Sequence, residues 1–277
     1  MKPDLTHGQA VGWALSVTLA FLIVAQNVAL VVPNLAHDLV LQVGVEVVVY
    51  LTACALFSAR RPGRTFEDLF AFRRAPALLL LLAFALGLAL RAPADFMETA
   101  IQKVAPLPQP VHDELSALLV PRGVVHAVAL ALVVGLCGPF VEELLYRGAL
   151  FTALRGAAGA GSAAVTTGIL FTIVHPEPRF WPPVFLLAGC LGFLRATSGS
   201  LWPGVLMHGA FNGTAVVMAF SGGKADAFEQ KPIVVGVSIL ISVVLIGLVA
   251  YLARGSAIAE RARSLDGQPA PAPEATS

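Results

Sequence analysis

The stretch from Gly123 to Gly138 holds no Asp, Glu, Lys or Arg, and it leads directly into Pro139-Phe140-Val141-Glu142-Glu143-Leu144-Leu145-Tyr146-Arg147. By length and polarity the stretch predicts a membrane-spanning helix. A carboxylate carried into hydrocarbon costs about 2.5–3.5 kcal/mol on insertion scales, so two in succession require partners or a function. Glu143 and Arg147 stand four apart with the acid on the N-terminal side, the favourable order for an ion pair along a helix. Glu142 projects about 100° around the axis from Glu143 and finds no such partner in the stretch. It is therefore the candidate for chemistry.

Composition extends the membrane reading to the whole chain. Of 277 residues, 57% are hydrophobic and 13% charged, against about 25% charged in soluble domains. The expected fold is all-α and polytopic: one membrane protein of about eight transmembrane helices with a polar active site inside the bilayer. A net charge of +1 argues against a nucleic-acid partner. Cys54, Cys137 and Cys190 lie in apolar segments without metal-type spacing, so they read as packing residues and imply no disulfide framework. Met1-Lys2-Pro3-Asp4 precedes a long apolar run with no clear small-residue cleavage site, which predicts an uncleaved first helix.

Hydrophobic patterning predicts spans over about 10–32, 39–57, 75–90, 123–154, 162–175, 182–194, 201–220 and 232–252. Residues 91–122, with Pro93, Pro106, Pro108, Pro110 and Pro121, read as an extramembrane loop carrying one or two short amphipathic helices. The chain divides accordingly into N-terminal helices and loop (1–122), a core (123–220), a last helix (221–253) and a disordered tail (254–277). Glu46, inside the second span, reads as an inward-facing structural polar residue. Eight spans place both termini on one side, and twelve of the 18 Lys and Arg fall there. The positive-inside rule then makes this a multi-pass inner (plasma) membrane protein with both termini cytoplasmic.

Three further intramembrane polar residues matter because they can meet Glu142. His208 and Asn212 stand four apart on one face of the seventh span, and His175 closes the fifth. With residue 158 as a hairpin turn, Glu142 and His175 lie at nearly equal distances from it, hence at the same depth. His208, counted from the Ser198-Gly199 turn, comes out shallower by roughly 9–10 Å, a difference that a tilted helix absorbs. A Glu and two His in a confined apolar site suit hydrolysis. Glu142 can take a proton from water, and His208 with Asn212 can donate to the oxyanion. Glu142, His175 and His208 also make a set that could hold Zn²⁺ with an open position. Spacing alone leaves both mechanisms open.

Glu142-Glu143-x-x-x-Arg147, Phe171-x-x-x-His175 and His208-x-x-x-Asn212 together resemble the signature of the CPBP (CAAX protease and bacteriocin-processing) intramembrane proteases. That family includes type 2 CAAX prenyl proteases and lysostaphin-resistance-like proteins. The matching block is about residues 123–217. The resemblance implies a membrane endopeptidase with Glu142 activating water, His175 beside it, and His208 with Asn212 toward the oxyanion. Glu143 and Arg147 take supporting places, and zinc stays open beside a metal-free glutamate mechanism. Ala/Gly/Val/Leu/Arg-rich usage suggests a bacterium of high genomic GC content. The implied partners are the lipid bilayer and a membrane-associated protein or peptide: a CAAX-type protein, a bacteriocin precursor or a C-terminal anchoring signal. Two other classes fit the same residues. A non-catalytic immunity or scaffold protein would keep the polar cluster for helix association, and a small transporter would use it as a proton relay.

Overall fold

The computed structural model describes residues 5–221 and 231–265, all helix and connecting loop with no strand among them. Helix α1 spans His7–Val31 and opens on a capping box: Thr6 accepts from the Gln9 amide while the Gln9 side chain accepts from the Thr6 amide. Helices α2 (Leu39–Ala59), α3 (Phe66–Phe70), α4 (Ala77–Ala89), α5 (Arg91–Val104) and α6 (Gln109–Ala117) follow. The next stretch reads α7 (Val124–Leu132), a π-helical turn πA (Val133–Cys137), α8 (Gly138–Glu143), a second π-helical turn πB (Leu144–Leu150) and α9 (Phe151–Ile173). Then come α10 (Trp181–Ser198), α11 (Trp202–Phe220) and α12 (Pro232–Leu265).

Among the described residues, six helical stretches are long and apolar enough to cross a membrane, against about eight expected spans. Two differences account for most of the gap. The fourth and fifth expected spans form one helical stretch, 124–173, interrupted at Gly159, whose φ of 83° lies outside the helical region. Beyond Gly159 the chain returns so that Phe171 lies beside Tyr146, ring centroids 5.3 Å apart. The expected seventh span, α11, is not among the six. It packs on α4, πA and α10.

Residues 91–104 carry one of the expected amphipathic helices, but it continues almost directly from α4. Only Leu90 separates α4 from α5, and 77–104 counts as one membrane-length helix. Its first turn is buried from Ala92 to Asp95, because Arg91 forms an ion pair with Asp95 one turn on and neutralises the buried acid. The expected short amphipathic helices are α5 and α6. At the other end, α12 continues through Arg254 to Leu265, past the expected helix end. The remainder of the expected tail, 266–277, lies outside the described residues.

Close helix crossings depend on glycine. A Cβ on Gly87 of α4 would stand 2.2 Å from the Met207 carbonyl oxygen of α11, and one on Gly209 of α11 would stand 2.7 Å from the Gly135 carbonyl oxygen of πA. Backbones this close bring α11 against the helix that carries Glu142 and Glu143. Gly87→Ala is therefore expected to lower stability by about 1–3 kcal/mol through overpacking. Gly12→Ala, with open space around it, is expected to raise it by up to about 1 kcal/mol through helix propensity. Thermal unfolding in detergent reads both signs.

Asp38 ties the start of α2 to the start of α7. Its carboxylate accepts from the amides of Val40 (2.9 Å) and Leu41 (3.3 Å) and pairs with Arg122. Burial pushes the carboxyl up, but those hydrogen bonds and the guanidinium outweigh it and hold Asp38 below the usual carboxylate range. A depressed folded-state value means the stabilisation is complete above about pH 4 and is lost as the pH falls further. Asp38→Ala should cost about 1–2 kcal/mol at neutral pH and flatten the acid side of a stability-against-pH curve.

Candidate active site

Pro139 lacks an N–H and cannot complete the helical ladder. It sits in the first turn of α8, where πA gives way to α-helix, and πB begins immediately after Glu143. Single π turns of this kind recur at functional sites. Here they flank the six-residue segment that ends on the two glutamates.

Glu143 is fully buried. Its Oε1 accepts from Arg147 Nη1 at 2.8 Å and faces His208 Nδ1 at 3.2 Å. Arg147, also fully buried, donates from Nη2 to the Ala188 carbonyl of α10 at 3.2 Å, and its guanidinium lies 4.6 Å from the centre of the Phe171 ring. The other Glu143 oxygen, Oε2, has no hydrogen-bond partner among the described residues; a Cβ on Gly204 of α11 would stand 2.8 Å from it. Gly204 thus provides the space that the carboxylate fills.

Glu142 differs from its neighbour in access. Its side chain is 18% exposed, against 0% for Glu143 and 2% for His208. Its Oε2 meets His208 Nε2 at 3.4 Å. His208 therefore turns one ring nitrogen to each glutamate. A neutral imidazole has a single N–H and can donate to one of them; the imidazolium can donate to both. Glu46, from α2, comes within hydrogen-bonding reach of the Glu142 carboxyl.

Phe171 connects this cluster to His175. Its ring makes edge contacts with His208 at 5.7 Å and His175 at 5.0 Å. The His175 ring is fixed by a 2.8 Å hydrogen bond between Nδ1 and the Phe171 carbonyl, so Nδ1 is the donor and Nε2 is left as the acceptor. The Trp181 indole donates to the His175 carbonyl at 2.9 Å. His175 lines a cavity of about 710 Å³ whose wall also includes Arg91, Asp95, Glu98, Gln102 and Phe211. Glu142, His208 and Asn212 are not part of that wall. Asn212 is half-buried, one turn along α11 from His208, and hydrogen-bonds to no described residue.

The anticipated Glu143–Arg147 pair is present, and Glu142 and His208 meet. His175 reaches them through the Phe171 ring rather than by direct contact. Glu46 joins the cluster, where sequence suggested only a structural polar residue; an acid in the middle of an apolar span was the available signal. The zinc set does not assemble as these side chains stand. Among the described residues, no group of three or more His, Cys, Asp or Glu could hold a metal ion, and both nitrogens of His208 already face carboxylates.

The class is then plain: an all-α polytopic membrane protein with a carboxylate, guanidinium and imidazole cluster buried between helices. Residues 124–214 match the family model described as type II CAAX prenyl endopeptidase Rce1-like. The match spans a third of the chain and supports assignment to the CAAX-protease (CPBP) family. No curated protein and no solved structure matches the chain.

A buried ion pair is sensitive to losing one partner. Arg147→Met leaves Glu143 uncompensated and should destabilise by about 3–5 kcal/mol. Glu143→Leu combined with Arg147→Met should recover much of that loss. The yield and melting temperature of the purified variants measure both.

Proposed function

We propose that the chain is an intramembrane endopeptidase that hydrolyses a peptide bond of a membrane-associated protein or peptide. The observation that carries this reading is the contrast between the adjacent glutamates. Glu143 is enclosed and paired with Arg147, whereas Glu142 keeps part of its side chain accessible while its Oε2 meets His208. A carboxylate so placed suits a general base.

In this reading Glu142 accepts a proton from water, and the water oxygen bonds to the amide carbon of the substrate. The carbonyl oxygen becomes an oxyanion. Collapse of the tetrahedral intermediate breaks the C–N bond as Glu142 passes the proton to the departing amine. His208 orients Glu142 and Glu143 together. The uncommitted amide of Asn212 is the freer donor for the oxyanion, since both nitrogens of His208 face carboxylates. His175, with Nε2 as acceptor at the cavity wall, is suited to holding water or substrate there. The 710 Å³ cavity falls in the size range of sites that enclose small ligands, about 300–1,000 Å³, room for a short peptide segment. A CAAX-type terminus, a bacteriocin precursor and a C-terminal anchoring signal are the substrate types to be compared.

Glu142→Gln keeps the shape and removes the base. Cleavage is expected to fall by about 100-fold or more, with membrane insertion and melting temperature retained. Membrane-protein C-termini and secreted peptides, compared between a deletion strain and one complemented with the variant, give the measurement. Normal processing in the variant strain would instead assign the non-catalytic immunity or scaffold role.

A further inference from the structure

A second polar cavity, of about 220 Å³, opens at one end of the bundle, away from the glutamates. Its side-chain lining is Arg64, Asp68, Arg73, Thr152, Arg155 and Arg195, and the backbone at Ala71 and Gly199 completes it. The fold builds this cavity deliberately. The Ser200 hydroxyl donates to the Arg73 carbonyl at 2.5 Å and the Leu201 amide donates to the Ala71 carbonyl at 2.9 Å. These bonds hold the α3–α4 loop against the α10–α11 turn. Ala71 (φ 57°) and Gly199 (φ 67°) both adopt left-handed backbone there.

The charge inside is one-sided. Asp68 is the single acid among four arginines, and it is engaged by Arg73 at 3.2 Å and by the Thr65 hydroxyl at 2.8 Å. Arg195 is 5% exposed and no described carboxylate pairs with it. Its Nε donates to the Arg147 carbonyl at 2.8 Å and its Nη2 to the Thr152 hydroxyl at 3.2 Å, while Nη1 is buried with no partner among the described residues. Arg155 and Arg73 stand close enough to repel it. A buried guanidinium with an unsatisfied donor and two like-charged neighbours is unfavourable unless an anion joins it.

We propose that this cavity binds a phosphate group, most naturally that of an anionic phospholipid headgroup. Guanidinium forks match phosphate oxygens in geometry and charge. A basic recess where helices end is where a lipid headgroup sits. Arg195 and Thr152 form the floor; Arg64, Arg73 and Arg155 form the exposed rim. None of these residues belongs to the glutamate cluster, so the proposal stands independently of peptidase activity.

The test uses the full-length protein, purified and reconstituted with phosphatidylcholine alone or with added phosphatidylglycerol. Retained lipid is read by native mass spectrometry and stabilisation by melting temperature. Phosphatidylglycerol should be retained selectively. Arg73→Gln and Arg155→Gln, both at exposed positions that spare the fold, should each weaken retention about tenfold, the loss of one charge-assisted hydrogen bond. Arg60→Gln, an exposed arginine outside the cavity, should leave it unchanged. Inorganic phosphate is the third arm. Stabilisation by phosphate equal to that by lipid, and equally dependent on Arg73 and Arg155, assigns the cavity to free phosphate; stabilisation by lipid alone assigns it to the headgroup. No stabilisation by either, or retention that Arg60→Gln reduces as much as Arg155→Gln does, overturns the proposal.

Discussion

The structure depends on accommodating two consecutive carboxylates inside an apolar bundle. An isolated buried carboxylate is among the most costly groups a protein can hold. Glu143 is tolerated because Arg147 follows one turn later and because His208 approaches from α11. That approach requires close backbones. Gly204 and Gly209 lie where any side chain would collide with the carboxylate itself or with the Gly135 carbonyl. Arg147 is in turn fixed by the Ala188 carbonyl and the face of Phe171, which draws α10 and the far half of α9 into the same arrangement. Helix packing and cluster electrostatics are therefore one constraint.

The adjacent glutamates divide two tasks that conflict in a single group. A carboxylate that holds helices together must be enclosed and paired; one that moves a proton must remain reachable. Residues 100° apart on a helix can satisfy both demands from neighbouring positions. The imidazole of His208 spans them, so that the orientation of Glu142 is coupled to the ion pair beneath it. Glu46 adds a third carboxyl beside Glu142, and carboxyl groups in such contact form a hydrogen bond by sharing a proton.

Much of this arrangement is legible in the sequence because the bilayer makes intramembrane charge conspicuous. Glu142, Glu143, Arg147 and His208 stand out against apolar surroundings, and helical spacing pairs Glu143 with Arg147 before any coordinates are known. Counting from the Gly-rich turn puts Glu142 and His175 at one depth; in the structure Phe171 touches His175 and His208, and His208 meets Glu142. What counting omits is azimuth: depth does not say which way a side chain points, so the intervening Phe171 ring was not foreseeable. Helix α11 packs against α4, πA and α10, and a helix sheltered by its neighbours need not be as apolar as the six that qualify by composition. In 91–104 the expected amphipathic helix is present as α5, and its start is buried because the Arg91–Asp95 pair neutralises charges that appear solvent-seeking when taken singly. Glu46 was visible, but its partner lies far away in sequence. Arg195 was invisible as a site residue, since its companions come from the loops on either side of α3 and from the start of α9.

The bridging position of His208 is the claim most directly open to measurement. Nitrogen-15 NMR of histidine-labelled protein in detergent reports each imidazole nitrogen separately, and loss of a signal in His208→Gln assigns it among the six histidines. The account predicts that Glu143→Gln shifts the Nδ1 resonance of His208 and Glu142→Gln shifts Nε2. A His208 spectrum unchanged by both substitutions would contradict it.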